Sequence, residues 1–380
     1  MKNGKSKKEK GKKIVFNAAL ILCFFIGAYA GGYVCGNILA AVDNGEVNTG
    51  VLLIGLLAVI YLSTFLHIII HESGHLVFGL ATGYRFSSFR ISGLMLAKIN
   101  GKLCLKRHRV AGTGGQCLMA PPETENGKIP YVMYNLGGVL LDMAVSLICL
   151  AVYLFARPES VFLSSSLLVF ADFGIVLSLV NGIPISNGLM INDGGNIVQL
   201  SKSEKARKSF WYQLEIYSEL SNGVRLKDMP EEWFPIPEGE DLKNGLVCAT
   251  GVFACNRLFD EKNFDAAREL IDKLTDENAG TIGIHKNQLV CDKIFCELIG
   301  DNNSEVINEL LDKPQKSFMK SMKDNPSVIR TNYALALLHE KDTEKAEKIK
   351  KKFDKREKTY AFAADMQSER ELVEIAMQKA

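Results

Sequence analysis

The chain has 380 residues, 47% hydrophobic and 23% charged, with a formal net charge of +2 at pH 7. Near-neutral balance gives no case for a nucleic-acid partner, and the uneven spread of residue types excludes one uniform soluble domain. Apolar residues gather before about residue 200 and charged residues after it.

Residues 1–13 form a basic N-terminus, KNGKSKKEKGKK, which reads as an orientation signal because an apolar stretch follows directly. Residues 14–42, 51–80, 131–155 and 161–183 each match or exceed the ~20 residues needed to cross a hydrocarbon core of about 30 Å. The first has small residues at Ala28-Tyr29-Ala30, as at a signal-peptide cleavage site. Apolar residues continue to Val42 and favour an uncleaved anchor. The N-terminal lysines, and Arg85, Arg90, Lys98, Lys102, Lys106, Arg107 and Arg109 after the second stretch, predict cytoplasmic segments. The 43–48 loop has neither Lys nor Arg. The expectation is a multi-pass cell-membrane protein with its N-terminus and C-terminal domain in the cytosol.

The second stretch ends in HIIIHESGHLVFGL, residues 67–80. On a helix, His71 and His75 lie four apart on one face, where two imidazoles can hold a single Zn²⁺, one ion per chain. Glu72 then lies beside the water that the metal polarises. Two His and a Glu are costly in hydrocarbon without such a purpose; the alternative is that they pair with neighbours in a helix bundle. His67, one turn earlier, reads as a supporting or bundle contact.

Residues 85–130 predict a small β-hairpin insertion. In LMLAKINGKLCLKR, Asn100-Gly101 separates two short strand-forming runs, as in a tight hairpin turn. The hairpin is either a solvent-facing connection or a strand edge that pairs with an extended substrate segment. GTGGQCLMAPP, which follows, reads as an irregular loop against the membrane.

The fourth stretch runs into VNGIPISNGLMINDGG, where Asn181 and Pro184 break the helix. Asp193 is then available as a third ligand, completing a His₂Asp set with one open position for water. The alternative is a helix-terminating loop, since N-G and D-G pairs are common turn formers.

HESGH, NGIP and NDGG, together with NLGGVLLD at 135–142, resemble the site-2 protease family of intramembrane zinc metalloproteases. The resemblance covers about residues 50 to 200. It implies an H-E-x-x-H helix paired with an N-x-x-P segment that leads to D-G, with Asp193 as third ligand. It further implies that Asn181 touches the substrate backbone or positions the ligand loop. Two features depart from the family. Eight residues separate Pro184 from Asp193, where four is common, and Asp142 stands where Asn is usual. Asp142, like Asp172 in the fourth stretch, reads as a paired structural carboxylate or as part of a polar path.

Residues 201–240 predict an amphipathic segment and a linker. The helix from Asn196 to Ser221 carries Phe210, Trp211, Tyr212 and Tyr217 as a face that leans on the membrane. Residues 241–380 read as helical: NFDAARELIDKL puts Phe264, Ala267, Leu270, Ile271 and Leu274 on one face. Leu258, Leu298 and Leu338 recur at a spacing of about 40, which resembles tetratricopeptide-type helical repeats, with an unrelated bundle as the alternative. Cys248, Cys255, Cys291 and Cys296 form no C-x-x-C pair and are expected to be reduced.

The predicted fold is mainly α: a polytopic transmembrane bundle of about four spans with a small β-hairpin insertion and a cytosolic helical-repeat domain. The expected activity is hydrolysis of a peptide bond in or near the transmembrane segment of a membrane-anchored protein or peptide within the lipid bilayer. The alternative is a non-catalytic receptor or scaffold whose repeats bind a cytosolic protein or peptide.

Overall fold

The computed structural model describes residues 48–108, 113–123, 129–184 and 191–380, and part of 18–42. The basic N-terminus, part of the first expected span, residues 43–47, Arg109 and residues 185–190 lie outside the described residues. The chain divides into two compact units.

Among the described residues, the first unit contains three helices long and apolar enough to cross a membrane: α1 (Thr49–Ala81), α2 (Tyr131–Ala156) and α3 (Val161–Gly182). The Asn48 side chain caps α1 by accepting from Gly50 N at 3.0 Å and Val51 N at 3.2 Å. Ser160 caps α3 in the same manner. As Asn181 and Pro184 predicted, α3 stops at Gly182. Burial in this unit is inverted relative to a water-soluble bundle: Ser63, His67, Asp142, Ser146, Ser165 and Ser178 are buried, while Ile54, Tyr61, Ile148 and Phe155 are exposed. Such helices suit a hydrocarbon surrounding, where polar side chains turn toward one another.

The second unit holds Arg85–Ile129 together with the chain from Gln199 onward. Its antiparallel sheet has the order β3-β2-β1-β4, with β1 (Arg85–Ile91), β2 (Leu94–Ile99), β3 (Lys102–Arg107) and β4 (Gly115–Ala120). The expected hairpin is β2–β3, and both turn residues have positive φ, 48° at Asn100 and 80° at Gly101. The insertion is larger than predicted. GQCLMA, expected within an irregular loop, is β4, which pairs with β1 through Phe89 opposite Cys117.

Beyond α4 (Asp193–Lys202), α5 (Glu204–Ser221) buries Phe210, Leu214, Ile216 and Leu220. Trp211 Nε1 donates to the Pro122 carbonyl at 3.2 Å. The face expected to lean on the membrane is thus covered largely by protein. The expected linker is also packed: short 3₁₀ turns over residues 226–243 accompany the burial of Leu226, Met229 and Phe234.

The helices that follow are α6 (Gly245–Asp260), α7 (Phe264–Thr275), α8 (Gly283–Ile299), α9 (Ser304–Leu310), α10 (Lys313–Ser321), α11 (Pro326–Ala334), α12 (Thr343–Glu357) and α13 (Ala363–Gln378). A π turn, Leu335–His339, extends α11. The three segments bearing the recurrent leucines end in similar corners. Lys262, Asn302 and Lys341 have φ of 64°, 50° and 58°, and each is followed by a residue whose side chain caps the next helix: Asn263, Asn303 and Asp342. Arg330, 1% exposed, pairs with Asp292 and Glu369 and lies 4.4 Å from the Phe295 ring centroid, tying α8, α11 and α13 together.

Candidate metal centre

Helix α1 presents His67, His71 and His75 along one buried stripe, and glycines on its neighbours make room for the rings. A Cβ at Gly138 of α2 would sit 2.6 Å from His71 Cε1, and one at Gly174 of α3 would collide with the His67 ring and Ser146 Oγ. At Gly74 and Gly137 the backbones of α1 and α2 touch, since a Cβ on either would strike the other's carbonyl.

These helices fix the ring orientations through Nδ1. His75 Nδ1 lies 2.7 Å from the Tyr134 carbonyl, which can only accept, so Nδ1 carries the proton. His71 Nδ1 lies 3.1 Å from Asp142 Oδ2. The other oxygen of Asp142 is 3.0 Å from His67 Nδ1, and His67 Nε2 is 2.9 Å from the Phe170 carbonyl. Both Asp142 and His67 are 0% exposed. In this hydrogen-bond assignment, His71 and His75 each keep a lone pair on Nε2.

Those lone pairs converge. The two Nε2 atoms are 3.1 Å apart, and Asp193 Oδ2 lies 3.1 Å from that of His71 and 3.5 Å from that of His75. Three acceptors in contact repel unless a proton or a cation lies among them. Tetrahedral Zn²⁺ with bonds of 2.0–2.1 Å would separate its ligand atoms by about 3.3 Å, so the donor set fits such an ion in both chemistry and spacing.

Asp193 reaches the histidines despite the long connection because its flanks anchor it to the end of α3. Asn192 donates from Nδ2 to the Val180 and Ile183 carbonyls, both at 2.6 Å, and its Oδ1 accepts from Gly195 N at 2.9 Å. Gly194 packs so closely that a Cβ there would meet the Gly182 carbonyl.

Glu72, 8% exposed, follows His71 on α1. The Asn181 amide donates to the Leu177 carbonyl of its own helix at 3.1 Å. Asp172 takes no part in these hydrogen bonds, and its Oδ1 is buried without a hydrogen-bond partner among the described residues. Asn192 and Tyr134 were missed by sequence reasoning. Asn192 had a signal, since an Asn directly before a helix start is a capping residue; Tyr134 acts through its backbone carbonyl and had none.

No protein-family description, curated protein or solved structure matches this chain.

Proposed function

We infer that the chain is an intramembrane zinc metalloendopeptidase of the site-2 protease kind, cutting a peptide bond in or near the transmembrane segment of a membrane-anchored protein or peptide. The reading is supported above all by the convergence of two imidazole lone pairs and the Asp193 carboxylate beside Glu72, on a helix long and apolar enough to span a bilayer.

His71, His75 and Asp193 would hold Zn²⁺, which supplies Lewis-acid polarisation of the scissile carbonyl and of an attacking water. Glu72 takes the proton from that water as its oxygen attacks the carbonyl, then returns it to the leaving amine. The Nδ1 contacts to Asp142 and Tyr134 keep the two rings aimed during the reaction. A helical substrate hides its peptide bonds in its own hydrogen bonds, so the cut segment must unwind locally. Asn181 is proposed to assist by contacting the substrate backbone or by holding the ligand loop. Lys and Arg placement supports an N-terminus and C-terminal helices in the cytosol. The three capped corners support a repeat-like module that takes a cytosolic protein or peptide. The scaffold alternative would require a vestigial metal site, yet all four residues of the proposed chemistry are present.

Membrane peptides compared between cells carrying the wild type and Glu72→Gln test this reading. The variant should retain zinc while cleavage falls by roughly a hundredfold or more. Asp193→Ala should lose both zinc and cleavage. Undiminished cleavage by Glu72→Gln, or a purified wild-type protein that takes up no zinc, would overturn the assignment.

A further inference from the structure

Strand β2 is apolar on both faces, and only one of them is covered. Met95 and Ala97 are buried in the core of the second unit, with Ile99 packed against it. On the opposite face, Leu94, Leu96, Leu103 and Leu105 are 54%, 38%, 63% and 69% exposed. The register makes these leucines one patch. Leu96 stands opposite Leu105, Leu94 opposite Arg107, and Lys98 opposite Leu103, which sets the two exposed cations at diagonal corners. Antiparallel sheets with one covered face usually turn polar side chains outward, so four contiguous exposed leucines need a partner.

Charge and connection identify that partner. From Arg85 to Ala120, the span of the four strands, the sequence has seven Lys and Arg and no Asp or Glu, so the sheet carries only positive charge; Glu123 and Glu125 come after β4. Three residues, Thr82 to Tyr84, link α1 to β1, and ten separate β4 from α2. An insertion tied at both ends to membrane-crossing helices is held near one bilayer surface. We propose that the Leu94/Leu96/Leu103/Leu105 face docks on an anionic phospholipid surface. The leucines enter the interfacial layer, and Lys98 and Arg107 meet headgroup phosphates. The proposal rests on α1 and α2 as membrane spans, as in the proposed function, but not on zinc or proteolysis.

The test uses the full chain in lipid nanodiscs, with its nine cysteines replaced and a fluorophore at Leu103→Cys, Leu105→Cys or, on the opposite face, Lys102→Cys. In phosphatidylglycerol discs, nitroxide lipids should quench the labels at 103 and 105 at least threefold more than that at 102, with both shielded from aqueous iodide. Lys98→Glu with Arg107→Glu, or phosphatidylcholine discs, should reduce this lipid quenching by more than half. Iodide access equal at all three positions would overturn the proposal. So would shielding from both quenchers, which means that protein covers the face. Equal quenching in the two lipids would overturn its anionic component. Because no cleavage or metal is measured, a failure here is separate from a failure of the protease reading.

Discussion

Asp142 Oδ2 lies 3.1 Å from His71 Nδ1, across the ring from the nitrogen that faces Asp193. The carboxylate therefore sets which nitrogen keeps its lone pair, and His67 holds the carboxylate in turn. Replacing such an outer partner typically costs about 10–100-fold in metal affinity. Asp142→Asn should weaken zinc binding within that range in a chelator competition on purified protein. His67→Gln should add little on top of it, because His67 acts through Asp142. Unchanged affinity in Asp142→Asn would show that the α1 helix alone orients His71.

Gly138 tests the space rather than the ligands. A Cβ there meets the His71 ring at 2.6 Å, with no flexible side-chain end to yield. Gly138→Ala should lose most bound zinc by metal analysis although His71, Glu72, His75 and Asp193 all remain. Overpacking of this kind costs about 1–3 kcal/mol, so a lower unfolding midpoint should accompany the loss. Full occupancy would mean that α2 can move away from α1.

The C-terminal helices carry a pH dependence. Burial lifts the Asp365 carboxyl to about 7, helped by repulsion from Glu369 and Asp260, and burial lifts Glu369 to about 7 against the pull of Arg330. Both folded values exceed the ordinary ones, so the unfolded chain ionises first. Stability from these groups is complete below about pH 4 and is lost as the pH rises toward 7. Asp365→Asn should therefore leave the thermal midpoint unchanged near pH 4 and raise it by roughly 5 °C at pH 8. An equal shift at both pH values would argue against the titration.

Orientation is open to chemical labelling. Cys255 is fully buried and unsuited to it, whereas Met377, near the end of α13, is 50% exposed. In a background lacking the native cysteines, Met377→Cys should escape an impermeant thiol reagent in intact cells and react after lysis. Labelling from outside would invert the proposed topology.

The histidine stripe on α1 was legible because an i, i+4 pair of histidines has a geometric meaning on any helix. The Asp193 approach was less legible, since Asn192 and Gly194 achieve it through contacts with the end of α3 rather than through spacing. Helix α5 shows a different limit. An apolar stripe with Phe210 and Trp211 has the same sequence pattern whether protein or lipid covers it, and only the fold distinguishes the two. Strand β4 was hidden by the glycines that precede it, which read as a loop although Cys117 and Met119 alternate into a buried face.

In the proposed protease, the backbone contact of Gly74 with Gly137 would bear on how a substrate reaches Glu72. A seam without side chains has no rotamers to swing aside, so parting it means displacing whole helices and losing dispersion contacts over several turns. In the proposed protease, that seam would be the fixed jamb of the doorway. If the chain cuts membrane segments, the leaf that swings lies elsewhere, and stitching α1 to α2 with a disulfide beside Gly74 should leave turnover intact.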